Sequence, residues 1–296
     1  MHLQKIVNYA DYQNRRRLKP EAAICCIFPA TLFLVLVLCL PTLNAQPNSD
    51  KDIQKQIEAN LKNATLIIKY FYSGNNLVYD SEGSLVKGGN PGPWTLNAYF
   101  EPEKVSLSKK SITITGKRLF WSYDDSRNEP IIFRDSNNTK IEINRPPEKN
   151  DLSEIRALLT RVFLKNDEPL AEYVPHYWKK IIQADFDVKR LQWNFPPAES
   201  NSSASHFSNP VATELPNPDY TEEARRVHME GTMILLIDID EAGNAKVTDI
   251  VKPLGIGLDD NAVKTIEEIW KFSPATRASV PFAMNGVGIE IRFKLL

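Results

Sequence analysis

Few residues in this sequence have the type and spacing for chemistry. His176 stands nine and eleven residues before Asp185 and Asp187. A histidine near carboxylates could serve general acid–base work. Here the histidine sits beside Tyr177 and Trp178, so the sequence favours a packed or surface ring. Asp124-Asp125 is a second carboxylate pair, in a polar turn where both groups are expected to be solvated. Asp238-x-Asp240-x-x-Gly243 looks like half of a calcium loop. Ala242 occupies the next ligand position, Asp249 stands where a bidentate Glu belongs, and the intervening residues have strand character. His228 is expected at the surface. Motifs for zinc hydrolysis, nucleophile elbows, dinucleotides and P-loops are missing. These observations give no catalytic residue, no metal site and no cofactor.

Cysteine use narrows the field further. Cys25, Cys26 and Cys39 all fall in one apolar stretch, and none follows Cys39. A disulfide scaffold, a cysteine zinc site and a thiol nucleophile are therefore excluded from the rest of the chain. Lys+Arg 36 against Asp+Glu 37 leaves no basic field for general nucleic-acid binding. The balance is uneven along the chain. Residues 1–46 carry five basic and two acidic side chains, and residues 216–296 carry nine basic and thirteen acidic.

The elements that would position any site divide the 296 residues into parts. Arg15, Arg16, Arg17 and Lys19 precede an uncharged run from Ala22 to Leu43. That run just reaches the roughly 20 residues that span a bilayer. It also fits a signal peptide, with Pro41 breaking the helix and a cut after Ala45. Cleavage is the preferred reading and a signal anchor the alternative. Either way the remainder leaves the cytoplasm, since the arginines precede the apolar run.

Asp52 to Asn63 reads as an amphipathic helix through Ile53, Ile57 and Leu61. Residues 65–145 hold about seven short, mostly alternating runs separated by turn signals. They predict half-buried antiparallel strands in a small sandwich or barrel, or in one curled sheet. Asp151 is an expected N-cap, with Glu154 three residues on, for a helix buried through Ile155, Leu158, Leu159, Val162 and Phe163. A second helix, interrupted by Pro175, is expected over Ala171 to Gln183, then an extended piece. The β-rich domain thus covers 50–195. Residues 196–217 hold five Ser, four Pro and three Asn and read as a flexible linker.

Residues 218–296 predict the order α-β-β-α-β. Thr221 caps TEEARRV, and Gly231 ends that helix. Thr232–Asp240 and Ala245–Pro253 are strands joined by a turn at Gly243-Asn244. A helix over 258–269 buries Ala262, Val263, Ile266 and Ile269. An alternating strand, GVGIEIRFKLL, closes the chain. The expected fold class is α+β, with a three-stranded antiparallel sheet covered on one face by helix.

Pro218-x-Tyr220, Ala224-Arg225, Glu230-Gly231-Thr232, Asp240-x-x-Gly243, Leu258-Asp259, Trp270-Lys271-Phe272-x-Pro274-Ala275 and the final strand together resemble the C-terminal domain of TonB-family proteins. Thr221 replaces the usual Pro, and Ser279 a common Gly. The resemblance implies a non-enzymatic envelope protein whose domain binds a segment of an outer-membrane transporter by strand addition. It also implies an ExbB/ExbD-like proton-driven motor as partner if residues 22–43 anchor the chain. The strand from Gly288 to Leu296 would be the acceptor. Ile289, Ile291 and Phe293 would face one side; Glu290, Arg292 and Lys294 would face the other and set register or charge. The long Pro-rich spacer of the family is missing. A 22-residue linker averages about 26 Å as a coil and reaches at most about 75 Å. The apolar run also lacks the intramembrane Ser and His pattern that family members turn toward ExbB. A periplasmic binding protein without energy transduction is therefore the second expectation, and an exported enzyme using His176 the third.

Overall fold

The structure is a computed structural model, and it describes residues 5–7, 49–70, 73–90, 98–124, 129–146, 151–165, 168–184 and 207–295. The apolar run 22–43, the extended piece after Ala184, and Asp125, Asp185 and Asp187 lie outside the described residues. No helix among the described residues is long and apolar enough to cross a membrane. The chain divides into two compact units. One comprises residues 1–24, 122–131 and 175–296, the other residues 25–121 and 132–174. The first element, strand β1 (Lys5–Val7), belongs to the unit that contains the C-terminus.

The middle unit opens with α1 (Asp50–Leu61), capped by Ser49, whose side chain accepts from the Asp52 amide. Its apolar spacing turns Ile53 and Ile57 inward, as expected. The strands are β2 (Leu66–Ile67), β3 (Asn76–Tyr79), β4 (Leu85–Lys87), β5 (Tyr99–Leu107), β6 (Ser111–Asp124) and β7 (Glu129–Asn144). They form one six-stranded sheet in the order β2-β5-β6-β7-β3-β4, a single sheet rather than a sandwich or barrel.

Two features differ from the alternating pattern. The expected runs SITITG and KRLFWSY merge into the single strand β6. Gly116 does not turn the chain; it lies where the ladder is bulged, and an added Cβ would overlap the Glu101 carbonyl oxygen. In addition, β3 pairs parallel to β7, from Asn76↔Lys140 to Tyr79↔Ile143. Alternation reports which face of a strand is buried, not its direction.

Helix α2 (Leu152–Val162) is capped by the Asp151 side chain, which accepts from the Glu154 amide at 2.9 Å. Ile155, Leu158 and Val162 pack with Ile53, Ile57, Phe100, Ile112, Ile114, Ile141 and Ile143 into one core. Pro175 splits the next helical stretch into a single 3-10 turn, Leu170–Glu172, and α3 (His176–Gln183).

The second unit includes α3 and everything from Phe207 onward that is described. The stretch read as a flexible linker contains β8 (Phe207–Ser208) and β9 (Val211–Glu214). Helix α4 (Glu222–Arg226) follows, capped by Thr221 as expected. It ends with His228 at φ 53, whose amide donates to the Arg225 carbonyl, while the Met229 amide donates to that of Ala224. These paired bonds close the helix in a Schellman turn, with histidine where glycine is usual. Gly231 instead opens β10 (Gly231–Ile239). Then come β11 (Ala245–Lys252), α5 (Leu258–Glu268), β12 (Lys271–Ser273), β13 (Ala275–Arg277), β14 (Val280–Phe282) and β15 (Met284–Phe293).

The main sheet has the order β1-β15-β10-β11, all pairs antiparallel. The expected three strands are its centre, and β1 adds a fourth. Two small ribbons surround it. β9 pairs with β12, and β8 joins the β13–β14 hairpin. Backbone bonding along β12 and β13, together with the Phe207–Phe282 ring contact at 5.8 Å, gives this polar stretch order that its composition does not announce.

Candidate functional site

Of the residues singled out for strand addition, Ile289 to Phe293 lie in β15 and Lys294 follows its end. Ile289, Ile291 and Phe293 are buried on the core side against β10, where Ile289 stands opposite Leu235 and Ile291 opposite Met233. Glu290 is half-buried; Arg292 and Lys294 are exposed. The alternation read from GVGIEIRFKLL is therefore the alternation of the folded strand. Phe293 also meets the ring of Tyr220 edge-on at 5.4 Å, and the Arg225 guanidinium lies over that tyrosine at 5.4 Å. The N-terminal motif of the domain thus fixes the far end of β15.

One side of β15 is consumed by β10. Its other side carries β1, with Lys5 opposite Glu290, Ile6 opposite Ile289 and Val7 opposite Gly288. An edge strand presents alternate amides and carbonyls outward, and these are the groups that an extended segment pairs with.

The remaining motif residues build the frame. Asp240 accepts from the Ala242 and Asn244 amides through Oδ1 and from the Asn244 side chain through Oδ2. Those bonds hold its carboxyl below the usual range. Gly243 sits at φ 82, and its carbonyl accepts from the Phe272 amide at 3.1 Å. Asp238 accepts from the Gly286 amide. The half calcium loop is thus a turn that ties β10 to β12 and β15. Among the described residues no cluster of metal-ligating side chains occurs. Trp270, fully buried, donates through Nε1 to the Pro216 carbonyl, and Thr221 Oγ1 donates to that of Ile256.

Leu258-Asp259 opens α5. The Asp259 carboxylate is buried and accepts from the Leu254 and Gly255 amides at 2.8 and 2.6 Å. Burial nevertheless pushes its carboxyl up to about 6. Asp260 was not singled out by sequence. It is also buried, and its Oδ1 accepts from Tyr177 Oη and Trp178 Nε1 at 3.0 and 3.2 Å. Burial, then the neighbouring Asp259 charge, raise its carboxyl well above the usual range. Tyr177 is likewise pushed up by burial, so its hydroxyl stays protonated and donates.

His176 turns its ring to a backbone carbonyl. Its Nε2 lies 2.7 Å from the Val247 carbonyl oxygen, which can only accept, so Nε2 carries the proton. His228, at the end of α4, is exposed as expected.

Residues 216–295 match the family model described as the Gram-negative bacterial TonB protein C-terminal. The chain is also similar to the Protein TonB of Vibrio cholerae serotype O1, with 32% identity over 108 residues. That alignment covers 34% of this chain and 43% of the relative, so the chain spans less than half the length of the curated protein it matches. The buried alternation of β15, the Gly243 turn and the Trp270 anchor all lie in residues 216–295, the part of the chain that is similar to the TonB C-terminal domain.

Proposed function

We propose that this chain is a non-enzymatic protein of the cell envelope. In this reading its C-terminal domain captures an extended segment of an outer-membrane transporter by strand addition along β15, in service of transport across the outer membrane. The observation that carries the reading is the outer edge of β15, where Gly288, Ile289 and Glu290 pair with the short strand β1. That edge has the regular, apolar-backed backbone that strand addition requires. Glu290 and Arg292 supply opposite charges two residues apart on the polar face and would set the register of the incoming strand. Coupling to an ExbB/ExbD-like motor belongs to this proposal only if residues 22–43 stay in the inner membrane. The bond from His176 to Val247 ties the main candidate of the enzymatic reading to the frame of the sheet.

The test is hydrogen exchange on the full chain in detergent, with and without a synthetic peptide of alternating apolar residues. A Val7→Pro variant removes the donor that β1 turns to Gly288 and clears the edge. The peptide is expected to slow exchange at the amides of Gly288 and Glu290, and to bind the Val7→Pro chain more tightly. A peptide that binds without protecting any β15 amide would refute the proposal.

A further inference from the structure

The main sheet runs from β1 to β11, and strand addition at β15 leaves the β11 edge to be explained. In an antiparallel ladder a residue turns its amide and carbonyl either both to the neighbouring strand or both away. Val247, opposite Ile237, gives both groups to side chains. Its amide donates to Glu267 Oε1 at 2.9 Å, from α5. Its carbonyl accepts from His176 Nε2 at 2.7 Å, from α3. Helix α3 packs on β11 and is fixed there by its next two residues. Tyr177 and Trp178 both donate to the buried Asp260, and Trp178 and Ile181 are fully buried. Helix α3 precedes residues 216–295, so the matched family segment does not contain it.

We propose that α3 is a strand-exclusion device: His176 holds the outward carbonyl of Val247 and Glu267 its amide, so β11 cannot take a strand from a second copy of this chain. Covered edges are how sheets avoid pairing with one another. The domain then accepts a strand along β15 alone. This inference rests on the strand-addition reading for its meaning, but its test does not involve β15.

The experiment compares the full-length wild type with His176→Ala/Glu267→Ala in detergent, by hydrogen exchange and sedimentation. The Val247 amide is expected to exchange about tenfold faster or more in the variant. The amides of Leu235 and Ile237 in the sheet centre should stay protected, and a concentration-dependent dimer should form. His176→Gln/Glu267→Gln keeps a donor and an acceptor and should behave as wild type. Should the alanine pair lose protection at Leu235 and Ile237, Glu267→Ala alone is read against Glu267→Gln by the same two measurements. Wild-type exchange at Val247, or a variant that stays as monomeric as the wild type, would overturn the inference. Loss of peptide binding at β15 with these results intact would instead count against the function proposed above.

Discussion

Asp259 and Asp260 are adjacent, buried acids, and together they set the sign of the pH dependence of the C-terminal unit. Two amide donors and the N-terminus of α5 favour the charged form of Asp259. Desolvation opposes them and is larger, raising the carboxyl from 3.8 to about 6. Asp260 is raised as well, by burial and by the Asp259 charge. A folded state that binds a proton more tightly than the unfolded chain loses stability as pH rises. For Asp259 the contribution is complete below about pH 4, declines through the window to about pH 6, and is gone above it. A rise from 3.8 to about 6 is about two units, and at about 1.4 kcal/mol per unit the decline is about 3 kcal/mol for Asp259. Asp240 is shifted the other way, so its contribution falls only toward acid. The assay is urea unfolding followed by tryptophan fluorescence between pH 3.5 and 7.5, with Trp178 and Trp270 as buried reporters of this unit. Asp260→Asn provides the control. It keeps the Oδ1 acceptor for Tyr177 and Trp178 and removes the charge, so it should raise stability at pH 7 and flatten the profile. Stability that increases from pH 4 to 6, or an Asp260→Asn protein weaker than wild type at pH 7, would refute the reasoning.

Two turn positions should respond in opposite directions. Gly243→Ala forces a side chain into φ 82 and against the Phe272 carbonyl oxygen. It should cost about 2–3 kcal/mol in chemical denaturation, from left-handed strain of about 1–2 and a lost hydrogen bond of about 1. Ser279 sits at φ 65, beside Ala278 at φ 49, in the two-residue β13–β14 hairpin loop. Ser279→Gly relieves that strain and should stabilise by about 1 kcal/mol, seen as a higher Tm.

Local patterns were enough for many elements. Asp151 and Thr221 cap the helices whose starts they mark, because a side-chain acceptor before an apolar stripe satisfies an orphan amide wherever it occurs. The buried face of β15 followed from alternation, and the turn at Gly243 from a residue type that tolerates positive φ. The departure at Ser279 was visible too, although not that its position is left-handed.

Sequence alone was enough for the α-β-β-α-β order, though not for β12 to β14, for most buried faces, though Ile269, expected inside, is exposed, and for the resemblance of residues 216–296 to one domain family. Which strands are neighbours, and what ends their edges, came from the fold. The parallel β3–β7 pair, the ordering of 207–214 on β12 and β13, and β1 on β15 all depend on backbone groups meeting across long sequence separations. Backbone hydrogen bonds carry no side-chain signature, so composition read the stretch around β8 and β9 as a linker. The same holds for His176. Among aromatics it looked like a packed ring or a weak catalytic candidate, and only the fold places it at the Val247 carbonyl.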